Sequence, residues 1–346
     1  MRKNINTENK KKLGKLLAKL APKVGAKVVI EPEWGMAGQI IFRNGSVRSF
    51  LGYLLDLNGT ASSGISTDKS HAKFFMQKKG YPIAKGRTIF SNEWAREMNS
   101  NRRISYAISY ARKLGYPVIV KPNNKSQGIG VCLAWNQSEL VWALREIFKE
   151  DKVAIIEKYL PGRDYRVVVL DKEIISAHER VPLSVTGDGK NSILALLKGK
   201  RNSPEFLKRG IEVDFRDRRM KKKLYHDGYS FRSIPEKGQK IFLLDNANLS
   251  PGGDAIDAMD TIHPEFRKIA IKLTKDMGLR FCGVDIMVTR GDISKNPKNL
   301  KDCCYYIIET NASPGLIIHY EKNFSKQKKL AEAMYLKILR ALSKKG

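Results

Sequence analysis

Long apolar runs are missing from this chain of 346 residues: no stretch approaches the roughly 18–20 uninterrupted apolar residues that a membrane span needs. A membrane-spanning role is therefore not expected. Cysteine is scarce, with four in all: Cys132, Cys282, Cys303 and Cys304. None forms a CxxC pair and two are adjacent, so neither a zinc site nor a disulfide framework is suggested, and a reducing cytoplasm is the expected compartment. The basic N-terminus lacks a continuous apolar core and a small-residue cleavage site, so no secretory signal is read. Acidic residues are outnumbered, 35 against 64 Lys and Arg, giving a formal net charge of +29. That surplus bears on partners and solubility rather than on fold. Part of it is local. Residues 1–27 carry nine basic side chains against one acid, and the run 215–223, FRDRRMKKK, holds six. No ordered Ser–His–Asp or Cys–His set and no internal repeat stands out. His71, His178 and His319 read as structural histidines, and Trp34 as packing for a small N-terminal domain.

What is present is a mixture of periods. Helical spacing marks KKKLGKLLAKLA, DKSHAKFFMQKKG with Asp68 as N-cap and Gly80 as stop, SELVWALREIFKE from Ser138, HPEFRKIAIKLTKDMG and the closing QKKLAEAMYLKILRALSKKG. Strands are expected at YPVIVKP, GIGVCLAW, VAIIEKYL, YRVVVL, EIISAHERV, KIFLL, FCGVDIMVT and CYYIIETN. VVVLDKEIISA reads as a hairpin turning at Asp171-Lys172. Residues 187–255 read as an insertion with the basic run inside it. Hairpins interleaved with helices predict an α+β fold rather than a purely parallel wound sheet.

The segment IVKPNNKSQGIGV (residues 119–131) asks what its glycines are for. A Walker A loop has its lysine after the glycines and opens a helix; here Lys121 comes first and a strand follows. A Rossmann loop also opens a helix. What remains is a strand–Lys–loop–strand hairpin. Gly128 and Gly130 would let its backbone approach phosphate, with Lys121 as a point charge, although a plain surface hairpin fits as well. Asp285 lies in an apolar strand. Glu309 and Asn311, two residues apart, share one face of the last strand. Carboxylates in apolar strands are costly unless paired or bound to metal. These hard oxygens suit Mg2+, although pairing with nearby basic side chains accounts for them too.

Taken in order, DKSHAKFFMQKKGYPIAKG, LGYPVIVKPNNKSQGIGV, IIEKYLPGRDYRVVVL and GVDIMV with IIETNASPG resemble the ATP-grasp superfamily of carboxylate–amine ligases. AHERVPLSVTGDGKNSI and NANLSPGGDAID resemble its cyanophycin synthetase and glutathione-synthesising branch. The likeness covers roughly residues 66 to 320. It implies two α+β subdomains gripping ATP, a lid subdomain at 66–155 and a C-terminal subdomain at 156–346, behind a small N-terminal α/β domain at 1–65. It implies Lys73 and Lys121 as phosphate contacts and residues 123–130, with Gly128 and Gly130, as a loop closing over the triphosphate. Glu157, Lys158, Tyr159 and Leu160 become the adenine hinge, and Asp164 the ribose acid. Arg180 falls near the transferred phosphate, with Lys121 as its catalytic companion. Asp285, Glu309 and Asn311 become ligands of magnesium, two ions in all, with manganese as a substitute. Asn246, Asn248 and Ser250 fall on the acceptor side. Gly283 stands where D-alanine–D-alanine ligases carry an arginine, which argues against that activity. Members join a carboxylate to an amine through an acyl phosphate. The resemblance thus implies small-molecule or peptide substrates, here acidic ones drawn by the basic run, no nucleic acid or membrane partner, and a homodimer. Two other readings stay open: a basic nucleic-acid-binding protein on a retired scaffold, and a phosphotransferase on the same fold.

Overall fold

The computed structural model describes residues 5–126, 128–208, 213–247, 252–299, 301–316 and 325–344. Four sheets organise them. At the N-terminus the helix Ile5–Leu20 precedes an antiparallel meander of Ala26–Ile30, Ala37–Phe42, Val47–Leu51 and Leu54–Leu55. Leucines 13, 16, 17 and 20 recur at helical spacing and are buried against Ile40, Phe42 and Phe50. The last helix, Ser325–Ser343, closes this core with Met334, Tyr335, Ile338 and Leu342. One hydrophobic cluster therefore joins residues from both ends of the chain. Trp34 does not join it. It stands 62% exposed on a turn whose backbone N–H groups donate to the Glu31 carboxylate, at 2.9 Å from Trp34 itself.

A second sheet runs Gly86–Phe90, Val153–Lys158, Val118–Pro122, Cys132–Ala134, all antiparallel. The helices Ile104–Leu114 and Gln137–Ile147 bury Ala107, Ala111, Leu140 and Leu144 against Val118, Val120 and Ile156. The second helix starts one residue ahead of the expected Ser138, because Asn136 is the cap and accepts from the Glu139 N–H.

The third and largest sheet has the order Asp254–Asp257, Glu173–Val181, Arg163–Leu170, Phe281–Arg290, Cys304–Asn311, again antiparallel throughout. Its apolar face is covered by Pro264–Asp276, whose Phe266, Ala270 and Leu273 are buried on Val167, Val169 and Val284. The expected turn at Asp171 is there, with Asp171 at φ 53°. The segment 187–255 folds as helices Ile193–Arg201, Pro204–Lys208 and Arg218–His226 around a core of its own, with Leu197, Phe206, Met220 and Leu224 buried. A two-stranded pair, Ser184–Thr186 with Lys240–Phe242, roots it.

Candidate nucleotide and ligase site

Between the second and third sheets lies a cavity of about 340 Å³, within the size range of small-molecule sites. Lys121 enters it from the end of Val118–Pro122, and Ser126 with the 128–131 turn roofs it. The sequence reading expected a strand from Gly128. Paired structure begins only at Cys132, because Ile129 N–H donates to the Ser126 carbonyl and Val131 N–H to that of Gly128, closing two successive turns. Gly128 and Gly130 sit at φ 72° and 73°, where a side chain is strained, and a Cβ on Gly130 would come within 2.8 Å of Pro122.

The two predicted phosphate lysines are held by one carboxylate. Glu157, buried at the end of its strand, sits 2.6 Å from Lys73 Nζ and 2.9 Å from Lys121 Nζ. Burial works against its charge, but Lys121 and Lys73 outweigh it and hold the carboxyl below its ordinary value. Desolvation moves Lys73 the other way, below the usual lysine value in spite of Glu157. Lys121 lines the cavity and Lys73 does not. The cavity cation on that helix is Lys69, one turn earlier, which the sequence reading passed over. Its Nζ donates to the Lys125 carbonyl at 2.6 Å and stands 3.7 Å from Glu309. Asn123 seats that helix start by accepting from Ser70 N–H at 3.0 Å and donating to Asp68 at 2.6 Å. The available signal was spacing: residues i and i+4 of one helix share a face, so Lys69 was a candidate wherever Lys73 was.

On the large sheet the charged residues form two adjacent rows. Strand register places Arg180 beside Asp164, and Arg166, Asp285 and Glu309 side by side on three consecutive strands. Asp285 is fully buried. Arg166 grips it with Nε and, at 2.8 Å, with Nη2, and Arg180 Nη2 adds a contact of 2.8 Å. Burial still pushes the Asp285 carboxyl up, against both guanidiniums. Arg180 also donates to Asp164 at 2.6 Å, so the expected ribose acid is engaged with the expected phosphate arginine. Glu309 is less enclosed. Burial raises its carboxyl, but Lys69, Arg166, Lys121 and Arg180 together hold it down at about 2. Asn311 donates to it at 3.2 Å. Asp285, Glu309 and Asn311 thus meet as expected. Arg166, inside the quoted GRDYR, is the member the sequence reading missed. Gly283 explains its place, since a Cβ there would lie 3.1 Å from Arg166 Cδ.

Lys158, Tyr159 and Leu160 border the cavity as the chain leaves its strand, with Lys158 N–H already given to the Lys85 carbonyl at 2.8 Å. The basic run is a helix, and Arg219, Lys222 and Lys223 of it line the same cavity. Lys223 pairs with Asp227 and Asp245 at 2.9 and 3.4 Å; Lys222 stands 4.2 Å over the Trp142 ring. Asn246 borders the cavity, whereas Asn248, Ser250 and His319 lie outside the described residues. His71 is exposed beside Asp68, and His178 is buried within the large sheet.

As a donor set, two carboxylates and an amide oxygen on neighbouring strands fit a hard divalent cation. Among the described residues no group of three or more His, Cys, Asp or Glu is arranged for metal.

Two family models match this chain, the D-ala D-ala ligase C-terminus over residues 75–188 and the RimK-like ATP-grasp domain over 245–334. The chain belongs to the ATP-grasp superfamily. Within it, the chain is 32% identical over 279 residues to cyanophycin synthetase of Trichormus variabilis, covering 77% of itself and 28% of that protein. It is 32% identical over 264 residues to the glutathione biosynthesis bifunctional protein GshAB of Enterococcus faecalis, covering 74% of itself and 33% of the relative. A bifunctional glutathione synthetase from Pasteurella multocida shares the fold at TM-score 0.54 and 24% identity, over 90% of this chain and 42% of that one. The chain therefore spans about a third of the length of these curated relatives. No described helix is long and apolar enough to cross a membrane.

Proposed function

We propose that this chain is an ADP-forming ligase that joins a carboxylate to an amine at the expense of ATP, through an acyl phosphate. The observation that carries the reading is the juxtaposition, around one cavity, of Lys69 and Lys121 with the arginine-held Asp285 and with Glu309, to which Asn311 donates. Transfer of a phosphoryl group needs positioning and charge neutralisation more than covalent help from the protein. Lys69 and Lys121 bind and orient phosphate oxygens in this reading. Arg180 and Arg166 stand where charge develops on the transferred group. The 128–131 turn keeps water from an intermediate that water would hydrolyse. Asp285, Glu309 and Asn311 would hold magnesium, which neutralises phosphate charge when bound. Residues 157–160 would seat the adenine through the chain's backbone and Asp164 the ribose. In this reading the side chain of Glu157 serves the lysines rather than the base.

The carboxylate is proposed to be an amino acid or peptide, and an acidic one, in keeping with the surplus of lysine and arginine. Division at residues 65 and 155, a cytoplasmic setting with all four cysteines as free thiols, and a homodimer complete the proposal. Assay of ADP release across a panel of amino acids and acidic peptides, with product masses, tests it. Release that needs both a carboxylate and an amine is the expected result. Phosphorylation of a single substrate would make the chain a phosphotransferase, and salt-sensitive binding of random DNA without turnover would make it a nucleic-acid binder.

A further inference from the structure

The insertion reaches back over the site in a way the ligase reading does not use. Arg219 Nη1 donates to the Gly128 carbonyl at 3.0 Å and to that of Val131 at 3.5 Å. Asn246 Nδ2, also from the insertion, adds a contact to the Gly128 oxygen at 3.4 Å. The guanidinium is itself held. Asp217, the N-cap of the same helix, accepts from Arg219 Nη2 at 2.7 Å, from Nε at 3.0 Å and from the backbone N–H at 2.9 Å. The helix is seated against the lid sheet by other means too. His226 lies 3.0 Å from Glu139 and stacks on Trp135 at 4.7 Å, beside the Lys222–Trp142 contact. On its other side, the turn rests so close to Pro122 that Gly130 has no room for a Cβ.

We propose that Arg219 is a positioning residue that pins the glycine turn over the nucleotide cavity, so that the insertion governs how long ATP is retained. The proposal rests on the ligase reading above. Its chemistry is an amphipathic division of labour. Asp217 orients the planar fork, and the remaining donors turn two loop carbonyls outward, toward the insertion and away from an anionic ligand. A lifted turn must break these bonds. A turn that has lost them is free to open and release nucleotide. Arg219 touches no reacting atom, so its effect falls on nucleotide affinity rather than on the chemical step.

The test uses the full chain and three variants, Arg219→Ala, Arg219→Lys and Arg216→Ala. Arg216 is in the same basic run but is exposed and bonded to Asp214. A non-hydrolysable ATP analogue with Mg2+ is titrated, KM and kcat are measured, and protease cleavage of the 128–131 turn is followed. Arg219→Ala is expected to raise both the analogue Kd and the KM for ATP about tenfold, since the charge-assisted bonds to two loop carbonyls are lost. It should leave kcat within about twofold and speed cleavage of the turn. Arg219→Lys should recover part of the affinity, and Arg216→Ala should match the parent. If Arg219→Ala and Arg216→Ala have the same Kd and cleavage rate, or if Arg219→Ala loses kcat at unchanged Kd, the proposal is overturned. Failure of the parent chain to bind the analogue at all would instead remove the ligase reading on which it stands.

Discussion

Two buried carboxylates face each other across the cavity, each between two cations, and they differ in what surrounds them. Glu157 on the lid sheet has Lys73 and Lys121. Asp285 on the large sheet has Arg166 and Arg180, with Glu309 and Asn311 one strand further on. The first cluster has one lysine in excess of its carboxylate: once Lys121 is directed at a ligand, Lys73 still balances Glu157. The second is an open ladder. Glu309 stays ionised, is reached by Lys69 only at 3.7 Å, and keeps a more accessible carboxylate than Asp285. A buried ion pair is weak evidence of function, since pairing is what any buried charge requires. An ionised carboxylate with loose partners, set beside a saturated one, is the arrangement that leaves room for a cation. In the proposed reading Glu157 and Lys73 support Lys121, and Lys121 meets the phosphate together with the sheet cluster.

The largest effect should come from the loose member. Glu309→Gln is expected to abolish ADP release, by about three orders of magnitude or more, because it removes ligand charge where phosphate must be neutralised. The fold should persist, as judged by an unchanged circular dichroism spectrum. Near-normal turnover in a folded Glu309→Gln protein would erase the distinction between the two clusters. The same residue gives a pH signature. Its folded carboxyl, held at about 2, lies below the unfolded value of about 4.3. Its contribution to stability is therefore present above about pH 4.3 and is lost as pH falls toward 2. Acid should unfold the parent more steeply than Glu309→Gln over that window, and it should do so without Glu309 limiting activity near neutrality.

Next in size are the lysines, and here two lysines one turn apart in the helix Lys69–Lys78 should part company. Lys121→Ala is expected to cost about 3–4 kcal/mol of transition-state stabilisation, two to three orders of magnitude in turnover. Lys69→Ala should raise the KM for ATP as well. Lys73→Met should act mainly on folding. It removes one partner of a buried carboxylate, a change worth about 3–5 kcal/mol when no other partner remains and less here because Lys121 stays. Urea midpoints and ATP titrations of the three variants separate these roles. A Lys73→Met protein with parental stability and a lost ATP affinity would restore Lys73 as the phosphate contact.

The parts of this site that were legible in the sequence are those where a local rule is strict. Glu309 and Asn311 could be placed together because strand alternation assigns faces, and Asp285 was joined to them by the family resemblance; the antiparallel register does bring Asp285 opposite Glu309. The helix at Asp68 was marked by its cap. Arg166 could not be assigned, because its partner lies 119 residues away and only strand pairing puts it beside Asp285. The choice of Lys69 over Lys73 also needed tertiary structure, since one helix face holds both. Helix Thr60–Thr67, TASSGIST, gave no helical signal from its small and β-branched residues; packing against the last large-sheet strand, with Ser66 Oγ bonded to Thr310 at 2.8 Å, overrides propensity there. The basic run was read as a charge and lies in a docked helix, whose Arg219, Lys222 and His226 contact segments distant in sequence.

The smallest effect expected is at Lys125, in the roof of the cavity. Its ammonium pairs with Glu150, which lies on the surface. The contact the roof needs from this residue is its backbone carbonyl, which accepts from Lys69 at 2.6 Å and survives any side-chain change. Lys125→Ala should therefore leave the melting temperature unchanged and alter the KM for ATP by less than about threefold, since exposed ion pairs contribute little. Measured beside Lys121→Ala, it asks whether proximity to the cavity is enough to make a lysine a phosphate contact. A graded result, large at Lys121 and small at Lys125, is what separate tasks for the strand end and the turn require. Equal losses at the two would place the phosphate lysine in the turn, and would make the roof a ligand in its own right rather than a cover held in place by Lys69 below and Arg219 above.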